Sequence, residues 1–104
     1  GDGNTVRDYI YIDDVCRMLM VLFTYDGVFD TFNISSNTGT SQRDIIGMLQ
    51  VMGLNPQVEY LSARSVDAKK IILNNERIMG IHKESLIPIK DGIREYYGWL
   101  EENI

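Results

Sequence analysis

The sequence predicts an α/β fold on three observations: strand-like alternation in short segments, apolar stripes at helical spacing, and turn signals that separate the two in alternating order. The alternation is clearest at residues 7–12, where Tyr9 and Tyr11 fall on one side and Ile10 and Ile12 on the other. β-branched and aromatic residues of this kind suit a pleated surface. Asp13 or Asp14 is then placed to cap a helix by accepting bonds from its first free N–H groups. That helix carries Val15, Met18, Leu19, Leu22 and Phe23 as a stripe and stops near Asp26-Gly27.

A second strand is expected over residues 29–34, with Phe32 and Ile34 on one face, followed by a polar loop from Asn33 to Gly39. Ser41 with Asp44 three residues on matches a capping box. The helix behind it should bury Ile45, Ile46, Leu49 and Met52 and end at Gly53. Pro56 separates it from a third strand at 57–61, and 62–67 reads as a polar connector. Residues 71–73 suggest a brief extended piece. Asn74 or Asn75 can cap a short helix that runs through Met79 to Gly80. Pro88 suits the first turn of a last helix, where its missing N–H costs nothing; Ile89, Ile93, Tyr96, Tyr97 and Leu100 form its stripe, with Trp99 at the edge. The expectation is thus about three short strands with three to four helices in one domain spanning residues 1–104.

Composition narrows the function. With 44% hydrophobic and 24% charged residues the chain is globular. A net charge of -5 and the lack of any Lys/Arg run argue against nucleic acid, which demands clustered positive charge. The longest apolar run, 18–23, is too short to span a bilayer. A single cysteine, Cys16, permits no internal disulfide and supports no zinc site, so a reducing, cytoplasmic setting is expected, with Cys16 as a small core residue. The sequence opens without a signal-peptide pattern. Asn33-Ile34-Ser35 matches a glycosylation acceptor, which carries no meaning without a secretory context.

Catalytic constellations are sparse. His82, the lone histidine, follows a short helix and is expected to be solvated or to complement the helix dipole. No serine sits in a nucleophile elbow. Asp13-Asp14 and Glu101-Glu102 are sequence neighbours, which point different ways on a helix. Gly1-Asp2-Gly3 is a tight turn; a dinucleotide fingerprint needs a third glycine, a preceding strand and a following helix. No catalytic and no metal-binding residue is assigned. Two arginines stand out. Arg7 leaves a glycine-rich turn to open a strand, and Arg64 lies three residues before Asp67. A guanidinium offers a fork of donors that matches phosphate oxygens and stays charged. A carboxylate only accepts, which suits sugar hydroxyls. The pattern fits either one nucleotide held by phosphate and ribose or a plain surface ion pair.

The order of motifs resembles the NAD-dependent epimerase/dehydratase family, the extended short-chain dehydrogenases. "GDGNTVRDYIYIDDV" is similar to the family's Gly-x-Gly-x-x-x-Arg-Asp-Tyr-Ile segment. "FDTFNISSNTGTSQRDII" is similar to its Phe-Asn-Ile-Gly-Ser-Gly piece, "VEYLSARSVDAKKIILNNERIMGI" to its Arg-x-x-Asp-Val piece with the short helix after it, and "LIPIKDGIREYYGWLEEN" to its closing helix. Ser35 and Asn37 stand where glycines are common, and Gly80-Ile81 where Gly-Trp is common.

The resemblance implies a small C-terminal domain of an extended short-chain dehydrogenase, with the Rossmann half absent from this sequence. It implies that Arg7 and Arg64 reach the diphosphate of a nucleotide sugar from two sides and that Asp67 bonds the ribose. It implies NAD bound by the other half, together with the catalytic Ser/Thr and Tyr-x-x-x-Lys; no tyrosine here has a lysine four positions on. The whole enzyme is then expected to be a homodimer acting on UDP-sugars, with UDP-glucose 4-epimerases resembling it most. A dehydratase or decarboxylase of the same scaffold, and a non-catalytic sugar-nucleotide or interaction module, remain open. The isolated piece is expected to self-associate through surfaces its missing half would cover.

Overall fold

The computed structural model describes residues 1–104. Val6–Asp8 (β1) pairs antiparallel with Gly39–Ser41 (β2), Val6 opposite Ser41 and Asp8 opposite Gly39. On its other side β1 takes the chain at 69–71. The Val6 N–H donates to the Lys69 carbonyl at 2.8 Å, and the Ile71 N–H donates to the Val6 carbonyl at 3.0 Å. β1 is therefore a hub on which two remote segments converge. Gly39 makes the crossing possible: a Cβ there would meet Ile72 Cδ1 at 2.5 Å and Val6 Cγ1 at 2.7 Å.

Four helices complete the molecule: Ile12–Leu22 (α1), Gln42–Val51 (α2), Glu76–Met79 (α3) and Ile89–Asn103 (α4). The α/β class and the helices stand as the sequence indicates; the strands are two, and shorter. The ladder at β1 stops at Asp8, and by Asp14 and Val15 the N–H groups already donate to the Tyr11 carbonyl, so the alternating end of the 7–12 segment is the entry to α1. Residues 29–34 form no strand. Their side chains do the anchoring: Phe32 packs edge-on against Tyr25 and Phe29, and the Asn33 amide donates to the Asn74 carbonyl at 2.9 Å. Residues 57–61 likewise join no ladder, while the polar stretch before Ser41 supplies β2.

The caps divide similarly. Ser41 and Asp44 make the reciprocal capping box that opens α2, and Gly53, at φ +85°, closes it. Pro88 precedes α4, and Gly92 lets that helix lie on Tyr11, whose ring carbons would stand 3.1–3.3 Å from a Cβ. α1, by contrast, begins after Tyr11 with no side-chain cap. Asp14 is instead fully buried; it accepts the Ile87 N–H at 2.8 Å and pairs with Arg17 at 2.8 Å, which ties α1 to the entry of α4. At α3 the cap bond comes from Asn74, whose Oδ1 accepts the Glu76 N–H, and Asn75 is buried with its amide on the Ser35 carbonyl.

The apolar interior is thin. Met18 and Ile78 are the buried hydrophobic residues, while Ile45, Ile46 and Leu49 of α2 are only half-buried. Cys16 is exposed, contrary to expectation, because α1 turns Met18 inward and leaves Ile12, Cys16, Leu19, Met20 and Phe23 on its outer side. His82 is buried, not solvated: the chain after α3 folds back, the His82 N–H donates to the Ile78 carbonyl at 2.8 Å, and Nε2 has no partner.

Candidate functional site

Asp8, at the end of β1, organises the region around Arg7. Its Oδ1 accepts the Ser36 N–H at 2.8 Å and the Ser36 hydroxyl at 2.6 Å; its Oδ2 accepts the N–H groups of Asn37 at 3.0 Å and Leu73 at 3.2 Å. One carboxylate thus ties the loop before β2 and the 71–73 segment to β1. Asn37 stands at φ 56°, a left-handed conformation that asparagine tolerates where glycine is otherwise usual.

With β1 so fixed, Arg7 reaches along the neighbouring chain. Its Nη1 donates to the carbonyls of Val6 and Ala68, both at 2.9 Å, so the guanidinium is clamped against the 64–69 segment. Arg64 forks onto Asp67, Nε to Oδ2 and Nη2 to Oδ1, each at 3.0 Å, across a turn closed by the Asp67 N–H on the Arg64 carbonyl. The Arg64 guanidinium holds the Asp67 carboxyl below its usual range, helped by the charge of Arg7 nearby, and the carboxylate in return raises Arg64. The pair is exposed, with Arg64 at 75% and Asp67 at 41% of full side-chain accessibility, so water and salt screen it.

Arg7, Arg64 and Asp67 line one cleft of about 1010 Å³ whose lining residues are mostly of polar type. The cleft also takes Asn4, Gln42 and Lys69, which sequence reasoning passed over. Lys69 carried no legible signal: it is one of two adjacent lysines, and the sequence does not show which of them turns to the cleft. Asp8 carried no signal either, because its four donors come from two parts of the chain remote from it in sequence. A smaller, apolar hollow of about 430 Å³ adjoins the cleft between α2 and the 58–61 segment. In chemical terms the cleft offers two fork-shaped cations and a carboxylate close together, a set suited to a doubly charged phosphate ester with hydroxyls beside it.

Nothing in the chain resembles a dinucleotide cradle. The Gly1-Asp2-Gly3 turn leads into a strand, and Gly3, at φ +86°, gives its missing Cβ to the side chain of Arg43, which would lie 2.8 Å away. No group of His, Cys, Asp and Glu is placed to hold a metal ion, and no helix is long and apolar enough to cross a membrane.

This architecture, a small α/β unit on a two-stranded sheet, is that of the C-terminal third of extended short-chain dehydrogenases. More particularly, the homologues and structural neighbours of the chain are NAD-dependent epimerases and dehydratases of nucleotide sugars. The putative UDP-glucose 4-epimerase of Methanocaldococcus jannaschii is 23% identical over 104 residues, covering 99% of this chain and 33% of the relative. The ADP-L-glycero-D-manno-heptose-6-epimerase of Nitratidesulfovibrio vulgaris is 26% identical over 101 residues, covering 91% and 31%. Among solved structures, Thermotoga maritima UDP-glucose 4-epimerase with UDP-glucose superposes with a TM-score of 0.79 at 27% identity, covering 96% of this chain and 34% of that one. Bacillus cereus UDP-glucuronic acid 4-epimerase, in complex with UDP-glucuronic acid and NAD, gives 0.85 at 21% identity, covering 100% and 34%. No protein-family model matches. The chain spans about a third of the length of the curated relatives it matches.

Proposed function

We propose that this chain is the substrate-holding C-terminal domain of an NAD-dependent nucleotide-sugar epimerase, with a UDP-hexose as substrate and UDP-glucose 4-epimerase as the activity. The observation that carries the reading is the convergence of Arg7, Arg64 and Asp67 on one polar cleft. Arg7 and Arg64 grip the diphosphate through charge-assisted, fork-shaped bonds, and Asp67 accepts from the ribose hydroxyls. For that, Arg64 and Asp67 exchange their mutual pair for the ligand. NAD, when bound by the rest of the enzyme, supplies hydride transfer; the residues of this chain hold and orient the nucleotide. On the sizes of its relatives the whole protein is about three times this length, and we propose that it works as a cytoplasmic homodimer.

Isothermal titration of UDP into the chain tests the site. Arg64→Ala and Arg7→Ala should each weaken binding at least about tenfold, as loss of a hydrogen-bonded charge does; unchanged affinity in both would reject it. A second outcome on the same scaffold is a dehydratase, favoured by a trifunctional UDP-glucose 4,6-dehydratase of Arabidopsis thaliana at 24% identity. Given UDP-glucose and NAD, a full-length enzyme carrying this sequence yields UDP-galactose under the first reading and a 4-keto-6-deoxy sugar under the second.

A further inference from the structure

Lys69 is the one cation of the cleft with no partner. Arg7 spends Nη1 on two carbonyls, and Arg64 commits Nε and Nη2 to Asp67. The ion pairs of the chain are Arg17 with Asp14, Arg17 with Glu84, and Arg64 with Asp67, so no carboxylate engages Lys69. Its backbone is nonetheless firmly placed, since its carbonyl accepts the Val6 N–H at 2.8 Å beside Arg7. Lys70, the next residue, bridges Val6 from the same segment but does not line the cleft. An exposed, unpaired ammonium on the same cleft as two anchored guanidiniums is the arrangement that a second phosphate group rewards. Two arginines with the Asp67 carboxylate beside them, paired or opened, leave part of a diphosphate's charge unmatched.

We propose that Lys69 is a third ligand for the diphosphate of a nucleoside diphosphate, and that it sets the preference of the cleft for a diphosphate over a monophosphate. This rests on the nucleotide reading of the cleft. An ammonium acts as a point charge with three rotatable donors, so it follows whichever phosphate oxygen the arginines leave free.

The test is an amide chemical-shift titration of the chain with UDP, UMP and uridine, at low and at raised salt, a method that reads millimolar affinities. Lys69→Gln should weaken UDP about three- to fivefold, the scale of one exposed charge contact, and reduce the UDP/UMP ratio. Lys69→Arg should restore both, Lys70→Gln should change neither, and the Lys69→Gln deficit should shrink with salt. Thermal melts of the variants serve as the control for folding. If Lys69→Gln binds UDP as the parent does while Arg7→Ala and Arg64→Ala do not, Lys69 is not a ligand and the nucleotide reading stands. If none of the three substitutions matters, or the parent shows no UDP-dependent shift, both fall together.

Discussion

Asp8 and Asp14 each join segments that are remote in sequence. Asp8 is held by four donors from two segments remote in sequence, and replacing it with alanine leaves three backbone N–H groups and a hydroxyl without their acceptor. At about 1 kcal/mol or more for each partly buried bond, Asp8→Ala should cost about 2–4 kcal/mol, read as a lower urea midpoint, and should loosen Arg7 with it. Asp14 is fully buried against Arg17 and the Ile87 N–H. Asp14→Ala strands the Ile87 N–H, while the half-exposed Arg17 keeps water and Glu84, and a loss of about 1–3 kcal/mol is expected. Asp67 belongs to another regime. Its pair with Arg64 is exposed and contributes little to stability, but its sign is clear. A carboxyl held below its ordinary value keeps the pair intact above the ordinary carboxylate range, and the pair is lost as pH falls through the depressed value. Asp67→Asn should therefore free Arg64 and strengthen binding of inorganic pyrophosphate, which has no ribose to lose, while weakening UDP relative to pyrophosphate; parallel titrations check the crossing.

At the scale of elements, local chemistry was legible and long-range pairing was not. Ser41 with Asp44, Gly53 and Pro88 are local signals, each decided within four residues, and each stands where the sequence indicates. Ser41→Ala should lower stability by about 1 kcal/mol, measured by denaturant unfolding, because it removes one side of the box. Strands depend on who lies alongside. Residues 29–34 and 57–61 have strand-like composition but no neighbour to pair with, while the plain sequence Gly39-Thr40-Ser41 pairs because Gly39 allows Val6 and Ile72 to close on it. The same limit applies to the site. Arg7, Arg64 and Asp67 were picked out by residue chemistry and family resemblance. Lys69 was missed because only the bridge from Val6 shows which of two adjacent lysines turns to the cleft. The burial of His82 depends on how the chain folds back after α3, which no periodicity records.

Across the whole molecule, the dimensions are open for the size. The radius of gyration is 16.1 Å with extents of 47 × 38 × 21 Å, against about 13 Å for a compact domain of ~100 residues. α1 is apolar on its outer side as well as its inner one, with Phe23 at 81% exposure; such a helix is stable when covered on both sides. Trp99 stacks on Tyr96 at 6.2 Å with both rings half exposed. Surface of this kind drives association, so sedimentation of the chain at high concentration should show mass above 11.9 kDa; a strictly monomeric boundary would count against the reading of α1 as an interface.

We propose the cleft between β1 and the 64–69 segment as the seat of a nucleoside diphosphate. The most direct measurement is a structure of the chain, by NMR or crystallography, with UDP-glucose added. Diphosphate oxygens are expected within hydrogen-bond reach of Arg7 and Arg64, with the ribose on Asp67 and the Arg64–Asp67 pair opened. A nucleotide seated elsewhere, or the pair intact with no ligand at saturating UDP-glucose, would contradict it.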